Sequence, residues 1–313
     1  MRTHGIMFHY FEDDKNHRKC QGSVKAEMLE EMILYAGKKY CLLNARDYYD
    51  ESVNGRLKEN YVCLTFDDGL KSQIDIAWQV MKAMGKTGFF FSNSSHFDSM
   101  PSMLEVYHDF RFSKYDSIDE FYNDFFECVT KNRNFFKNDV ATMISEFDPK
   151  KYLIHSKCHT DNDRCFRYVR DHALLQSEYE MIMSDLMNKR NYSYEERLEQ
   201  LWLNEADLKE LFNAENIIGL HSHTHPTNMD KKCYDEQLLE YEKNKEILNK
   251  IIKNDVKTVS YPSGKYNEYT GEIMKRLGIS MAFKANMAMQ DHQTPFFISR
   301  KNHTDLIDEM KGV

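Results

Sequence analysis

Short apolar runs alternate with longer amphipathic segments in the first third of the chain. Runs rich in β-branched and aromatic residues predict buried strands at residues 6–10, 40–43, 61–66 and 88–93. Between them, the spacing of apolar residues predicts helices over residues 23–37 and 74–81. Strand, helix and strand in this order are typical of parallel strands joined by right-handed crossovers.

The first predicted helix has its ends and its buried face marked in the sequence. Ser23 and Glu27 fit an acidic first turn, and Gly37 fits the position just after a helix. At helical spacing, one apolar stripe is expected to face the core: Leu29, Met32, Ile33 and Ala36.

The same alternation returns in the last third of the chain. Apolar runs at residues 258–261, 280–285 and 296–300 predict strands, and a helix is expected to end at Gly278. Strands alternating with helices this regularly predict a (β/α) barrel, in which active residues gather at the carboxyl ends of the strands. An amphipathic helix after His225 offers several candidate buried residues: Leu238, Leu239, Tyr241, Ile247, Leu248 and Ile251.

Residues 97–200 interrupt this pattern, and no glycine occurs between Gly88 and Gly219. Helical periodicity over residues 118–131, 173–188 and 195–211 predicts a mainly helical insertion. The barrel then covers residues 1–96 and 201–313, with Asn204 as a helix N-cap where it resumes. The insertion either has a purely structural role or acts as a lid or an oligomer surface at the barrel mouth.

Composition narrows the class of protein. The 313 residues are 41% hydrophobic, which fits a globular protein, and no apolar run is long enough for a transmembrane helix. The net charge of -8 without a long basic run disfavours nucleic acid as a partner. The N-terminus resembles no signal peptide, and the seven cysteines are scattered, so we expect a cytoplasmic protein. Cys158 and Cys165 flank His159 and Asp163, but this spacing fits no common zinc pattern.

Two carboxylates and a glycine end the predicted strand at residues 61–66. Asp67 and Asp68 would repel each other unless a cation lies nearby or one of them is protonated. A bound divalent metal would supply that charge, and Gly69 would allow a tight exit into the next helix. The alternative is an ordinary Asp-Gly turn after a strand.

Three histidines in five residues follow the apolar run at residues 217–220. His221 and His225 are four residues apart, so in a helical turn both would point to one side, and His223 would point elsewhere. With Asp68 they would form a ligand set of two imidazoles and one carboxylate, which leaves coordination positions open for water and substrate. Zinc fits these ligands best, although cobalt, nickel, iron or manganese would also fit.

Three motifs together resemble those of the polysaccharide deacetylases, carbohydrate esterase family 4, whose domain is also called the NodB homology domain. Residues 65–69 read Thr-Phe-Asp-Asp-Gly, residues 221–225 read His-Ser-His-Thr-His, and residues 260–264 read Ser-Tyr-Pro-Ser-Gly. The resemblance implies a distorted barrel of seven or eight strands and the metal-dependent removal of an N-acetyl group from an amino sugar.

The resemblance also implies roles for individual residues. Asp67 would be the general base, and Asp68, His221 and His225 the ligands of one divalent metal ion. A backbone N–H near Ser263 would help to hold the oxyanion, and Tyr261 and Pro262 would shape the sugar pocket. Many members carry an arginine where this chain has Ser260, and we expect Arg300 to orient the base instead.

The family's acid for the leaving amine, a histidine within a Leu-x-His pattern, has no match here. His303 follows the last predicted strand and is our candidate, with His9 as the rival and a solvated histidine in a polar tail as the plain alternative. The expected substrate is an N-acetylated sugar, and the cytoplasmic location favours a precursor of a surface polysaccharide. Two other functions remain open: an amidase for a small non-sugar amide, and an inactive carbohydrate-binding homologue.

Overall fold

A parallel sheet of eight strands lies at the centre of the computed structural model of the protein, which describes residues 3–153, 160–287 and 295–312. Each strand is short, and the strands come from both ends of the chain. In chain order they are β1 His4–Phe8, β2 Cys41–Leu42, β3 Tyr61–Phe66, β4 Phe89–Ser92, β5 Ile217–Leu220, β6 Thr258–Ser260, β7 Met281–Phe283 and β8 Arg300–Asn302.

The sheet curls into a nearly closed barrel. The strand order is β7-β6-β5-β4-β3-β1-β8, and β2 pairs with the first two residues of β3, Tyr61 and Val62. A parallel bridge between Phe283 and Ile298 joins β7 to the segment that leads into β8. The structure therefore confirms the distorted (β/α) barrel that the alternation of strands and helices predicts.

Helices follow most strands. The long crossover helices pack their apolar faces on the outside of the sheet, where apolar area removed from water stabilises the fold. The α-helices are α1 Ala26–Lys39, α2 Ala45–Val53, α3 Gln79–Ala83, α4 Met103–Ser113, α5 Ile118–Asn132, α6 Val140–Glu146, α7 Asp161–Tyr168, α8 Gln176–Lys189, α9 Leu198–Leu201, α10 Glu205–Asn213, α11 Tyr234–Ile252, α12 Thr270–Arg276 and α13 His303–Lys311. A π-helix over Gln73–Trp78 precedes α3, and another over Val169–Ala173 follows α7.

Alternation along the strands divides the core into two layers. Leu64, Phe66 and Phe90 face the helices, and the rings of Phe66 and Phe90 stack at 4.6 Å. The intervening Cys63 and Phe89 face the barrel interior. Because side chains of a strand alternate between the two faces, this register directs Thr65 and then Asp67 towards the interior.

Several predicted boundaries are wrong, and each error has a physical reason. Ser23 does not cap α1, because its hydroxyl contacts Glu12 instead and the helix begins at Ala26. Gly37 lies inside α1, which continues to Lys39, although the predicted stripe of four apolar residues is buried. Leu239 is exposed, and the helix expected over residues 195–211 is broken before Asn204. Asn204 does cap α10, because its side chain accepts a hydrogen bond from the backbone N–H of Asp207.

The chain divides into two compact units. One consists of Met1–Ser102 with Leu198–Val313 and contains the barrel. The other, Met103–Arg197, is helical and has its own aromatic core, in which Phe110, Phe121, Phe125 and Phe166 are fully buried. The helical unit begins six residues after the start of the predicted insertion, 97–200, and ends three residues before its end. The function of this unit as a lid stays a prediction.

In the part of the chain that the structure describes, no helix combines the length and the apolar character needed to cross a membrane.

Candidate metal centre and active site

Asp67 and Asp68 leave β3 in different directions. Asp67 continues the alternation of the strand into the barrel interior, and its backbone N–H donates to the carbonyl of Phe8. Asp68 has a φ of 75° and Gly69 a φ of 63°, so the backbone turns sharply there. A Cβ at Gly69 would lie 2.3 Å from Oγ of Ser92, so this position also needs glycine for space. The tight exit predicted at Gly69 is therefore confirmed.

His221 and His225 lie in an irregular loop that follows β5. The expected helical turn is wrong, because Ser222 and His225 have left-handed backbone conformations, with φ of 62° and 57°. The two imidazole rings nevertheless converge, with their centroids 4.9 Å apart. Strained backbone at both ends of this loop is typical of a functional site, because the surrounding structure must hold it in place.

The two imidazoles meet Asp68 in a buried cluster. Oδ1 of Asp68 lies 3.2 Å from Nε2 of His221 and 3.3 Å from Nε2 of His225. A tetrahedral site with ligand atoms about 2.0–2.1 Å from a zinc ion has edges of about 3.3–3.4 Å. Burial raises the pKa of Asp68, but hydrogen bonds with His221 and His225 hold it well below its ordinary value. These three residues therefore fit a divalent metal ion in ligand type, spacing and charge, with one ligand atom of each within 4.8 Å of the others.

The backbone around β6 sets the tautomer of His221. Its Nδ1 donates to the carbonyl of Ser260 at 2.8 Å, which leaves the lone pair of Nε2 directed at the cluster. The backbone N–H of His221 donates to Oδ1 of Asn244 at 2.9 Å, and the amide of Asn244 donates to the carbonyl of Ser92. Asn244 lies in α11, so no pattern near the motifs could have pointed to it.

Asp67 forms a bidentate ion pair with Arg300. Nη1 and Nη2 of Arg300 donate to Oδ1 and Oδ2 of Asp67 at 2.6 and 2.7 Å. Ser260 joins them, because its hydroxyl accepts from Nη2 of Arg300 and donates to Oδ2 of Asp67. Burial raises the pKa of Asp67, but the charge of Arg300, the charge of His221 and the hydrogen bonds from Arg300 together lower it below its ordinary value. The structure thus places Arg300 against the predicted base, with Ser260 between them.

The base lies next to the ligand set. Oδ2 of Asp67 is 3.9 Å from Nε2 of His221, and both side chains are almost completely buried. The side-chain amide of Gln73 donates to the carbonyls of Asp67 and His9, which ties the end of β3 to the loop after β1. Gln73 lies in the π-helix Gln73–Trp78 and is not among the site residues predicted from the sequence.

His223 points away from the cluster. Its Nδ1 shares a hydrogen bond with Oγ of Ser94 at 3.0 Å, and its Nε2 lies 3.7 Å from a carboxylate oxygen of Asp98. Its carbonyl accepts from the backbone N–H groups of Ser94 and Ser95. His223 therefore braces the loop, as expected for the middle histidine of the motif.

The two candidate acids lie in different surroundings. His9 has its Nε2 4.0 Å from Oδ2 of Asp68, and its side chain is 28% exposed. His303 is the first residue of α13 and is only 6% exposed, stacked on Phe8 and close to Gly22. The alternative of a solvated histidine in a polar tail is therefore wrong. Burial and the charge of His9 lower the pKa of His303 to about 4, so its ring is neutral near pH 7. Position and exposure both favour His9 over His303 as the candidate acid.

Buried residues anchor the turn after β6 to the hydrophobic core. Tyr261 is fully buried, and its hydroxyl donates to the carbonyl of Phe296 at 2.9 Å. Its ring packs against Tyr266 and Phe297, so Tyr261 supports the turn and does not itself face solvent. Pro262 is buried as well, whereas Ser263 is exposed and has a φ of 52°. Among the predicted substrate residues, only Ser263 presents itself to solvent.

The weak pattern around Cys158 cannot be followed in full, because Cys158 and His159 lie outside the described residues. Asp163 accepts hydrogen bonds from Tyr122 and Arg167, and Cys165 is a free thiol on α7.

Comparisons with known proteins agree with the motifs. The sequence model of the family described as polysaccharide deacetylase matches residues 183–282. No curated protein sequence matches the chain. The matched segment contains the histidine loop and the turn after β6, whereas Asp67 and Asp68 lie before it.

Solved structures share the fold across almost the whole chain. One is a Streptococcus pyogenes deacetylase, PplD, in complex with acetate, with a TM-score of 0.56, 13% identity, and coverage of 96% of this chain and 92% of that one. IcaB from Ammonifex degensii has a TM-score of 0.54 and 12% identity, covering 96% and 90%. A de-N-acetylase from Aggregatibacter actinomycetemcomitans has a TM-score of 0.54 and 11% identity, covering 96% and 94%. The predicted resemblance to the polysaccharide deacetylases is therefore confirmed in sequence over residues 183–282, and the solved structures show the same fold across almost the whole chain.

Proposed function

We propose that the protein is a hydrolase that removes the N-acetyl group from an amino sugar, using one divalent metal ion held by Asp68, His221 and His225. The observation that carries the proposal is the second carboxylate. Asp67 is buried next to the ligand set and is held by a buried guanidinium group. A site that only bound a metal would not need such a residue, whereas amide hydrolysis needs a base.

The bound metal, zinc by ligand type with cobalt, nickel, iron or manganese as alternatives, would supply Lewis-acid polarisation of the amide carbonyl and a lowered pKa of the attacking water. The protein contributes the orientation of its ligands. Ser260 fixes the tautomer of His221 through its carbonyl, and Asn244 fixes the position of the loop through the backbone N–H of His221.

Asp67 takes the proton from the attacking water in this proposal. Arg300 and Ser260 hold the carboxylate in one orientation and keep it ionised, because both oxygens accept charge-assisted or hydroxyl hydrogen bonds. A preorganised base of this kind does not have to reorient during the reaction.

His9 gives the proton to the leaving amine. It is the histidine that combines partial exposure with a position next to Asp68, so substrate at the mouth can reach it. Ser263, exposed in the turn after β6, presents its backbone to the same end of the barrel and would assist the metal in stabilising the oxyanion.

The substrate in this proposal is an N-acetylated sugar bound to a nucleotide or a lipid, used to build a surface polysaccharide. This choice follows from the cytoplasmic location expected from the composition and the cysteine pattern. The deacetylase PplD and the de-N-acetylase from Aggregatibacter actinomycetemcomitans share the fold, and they support the class of reaction but not the substrate. The helical unit Met103–Arg197 would enclose the substrate or mediate self-association.

Acetate release tests the proposal. The full chain, loaded in turn with zinc, cobalt and manganese, is assayed on free N-acetylated sugars, nucleotide-linked N-acetylated sugars and small non-sugar amides. We expect release from sugar substrates and a loss of roughly 10²–10⁴-fold in Asp67→Asn with metal content intact. His9→Ala should lower turnover while His303→Phe retains most of it.

Each other outcome identifies a different function. Release from small amides alone would indicate a general amidase. Sugar binding without release, under every metal, would indicate an inactive carbohydrate-binding homologue. Full activity in Asp67→Asn would remove Asp67 from the mechanism.

A further inference from the structure

A buried arginine in the helical unit has no anionic partner. Arg111 in α4 is 7% exposed, and its Nε donates to the carbonyl of Tyr107 at 3.1 Å within the same helix. Among the described residues, no carboxylate pairs with it and its terminal nitrogens make no hydrogen bond. A guanidinium group carries several further N–H donors, and among the described residues these donors of Arg111 have no acceptor.

Aromatic rings hold the guanidinium group in place. Its carbon lies 5.2 Å from the centroid of Phe166 and 5.7 Å from that of Phe121, and both rings are fully buried. Such contacts stabilise a cation from its faces, but they leave the N–H groups at its edge without acceptors. The edge of Arg111 is thus available for a ligand.

Two more arginines extend the same positive region. Arg167 in α7 pairs with Asp163, and Arg170 in the following π-helix pairs with Asp171. The guanidinium carbon of Arg170 lies 5.8 Å from the centroid of Phe166, the ring that Arg111 also contacts. Arg111 and Arg170 thus lie against one ring, and burial together with the charges of Arg167 and Arg170 lowers the pKa of Arg111. Among the described residues, Asp163 pairs with Arg167 and Asp171 with Arg170, whereas no carboxylate pairs with Arg111.

A buried tyrosine packs against the same aromatic ring as Arg111. Burial raises the pKa of Tyr179 in α8, whereas the positive charges of Arg111 and Arg170 lower it. Its ring contacts Tyr107 at 5.4 Å, one helical turn before Arg111. Its ring centroid also lies 6.3 Å from that of Phe166, which Arg111 contacts, and among the described residues its hydroxyl makes no hydrogen bond.

We propose that Arg111, Arg170 and Tyr179 form an anion-binding site that takes a phosphate group. The planar fork of Arg111 matches two oxygens of a phosphate, and arginine clusters recognise this group through paired charge-assisted hydrogen bonds. A phosphate would also supply the missing negative charge. The site belongs to the helical unit and does not rest on the proposed deacetylase activity.

Calorimetric titration of the full chain with inorganic phosphate tests the site, with sodium chloride holding the ionic strength constant. We expect saturable binding in the wild type. Arg111→Met keeps the length and the apolar contacts of the side chain, and should weaken binding by about 10- to 100-fold, because charge-assisted hydrogen bonds are lost. The free variant should be as stable as the wild type or more stable, since an unpaired buried charge has been removed.

Arg190 provides a matched control in the same unit. Its guanidinium carbon lies 4.2 Å from the ring centroid of Tyr115, but it already pairs with Asp124. Arg190→Met should lose stability and still bind phosphate. If far-UV circular dichroism shows that Arg111→Met is unfolded, Arg111→Lys replaces it, because lysine keeps the charge and loses the fork.

The same titration is repeated with a nucleoside diphosphate and with a sugar phosphate. The ligand with the lower dissociation constant identifies the kind of molecule that supplies the phosphate group. The proposal is wrong if the wild type binds none of these ligands, or if the folded Arg111 variant binds them as tightly as the Arg190 variant does.

Discussion

Arg300 donates two hydrogen bonds to Asp67 across the barrel interior, from Nη1 to Oδ1 at 2.6 Å and from Nη2 to Oδ2 at 2.7 Å. The guanidinium group is fully buried, and its Nε donates to the carbonyl of Lys284. Ser260 on β6 lies between the two groups, because its hydroxyl accepts from Nη2 of Arg300 and donates to Oδ2 of Asp67.

Removing Arg300 should cost both stability and turnover. Arg300→Met leaves Asp67 as an uncompensated buried carboxylate, and we expect a loss of about 3–5 kcal/mol in the free energy of unfolding. Denaturant titration measures this loss. The matched control is Lys301→Met on the same strand, because Glu309 keeps Lys39 as a partner there, and about 1 kcal/mol is expected. Equal losses in the two variants would show that the pair does not stabilise the barrel.

Metal content should distinguish two histidines of one loop. His221→Ala removes a ligand and should lower the bound metal sharply, from about one per chain, as elemental analysis would show. His223→Ala is the control, since that ring contacts Ser94 and Asp98 and lies outside the ligand set. A His221 variant with full metal content would remove that residue from the site.

Two glycines should respond in opposite directions to the same change. Gly69→Ala forces a Cβ to within 2.3 Å of Oγ of Ser92 at a φ of 63°, and we expect a loss of roughly 2–4 kcal/mol together with weaker metal binding. Gly271→Ala in α12 meets no atom within 4 Å and should stabilise the protein by about 0.5–1 kcal/mol. Thermal unfolding of both variants measures the contrast. A neutral Gly69 variant would mean that the turn after β3 can relax.

Local patterns predicted the parts of the site that local chemistry determines. The alternation of β3 places Asp67 in the interior, and the carboxyl ends of β3 and β5 bring Asp68 and the histidine loop together, as expected for parallel strands. The first two inferences need only periodicity and charge. Arg300 was expected from the resemblance, because many members of the similar family carry an arginine where this chain has Ser260.

Contacts that span the chain could not be predicted in this way. Asn244 reaches the backbone of His221 from the middle of α11, and nothing in its neighbourhood distinguishes it from a surface asparagine. The prediction of Ser23 at the start of α1 is wrong for a more local reason, because its hydroxyl contacts Glu12 in the preceding loop. The burial of His303 depends on Phe8 and Gly22, which are nearly three hundred residues away in the chain.

The stability of the barrel should fall in mildly acidic solution, and His303 should account for part of the fall. Burial is the main cause that lowers the pKa of His303 from 6.5 to about 4, so the unfolded chain binds a proton between these values and the folded chain does not. The contribution of His303 to stability is therefore complete above pH 6.5 and is lost as the pH falls towards 4, by up to about 1.4 kcal/mol per pH unit.

His303→Phe keeps the stacking on Phe8 and cannot be protonated, so its free energy of unfolding should fall less steeply. Urea titrations at pH 7, 6 and 5 compare the two proteins. Some slope should remain in the variant, because burial also lowers the pKa of His96 to about 4. Parallel pH dependences would show that His303 is protonated equally in the folded and unfolded chains.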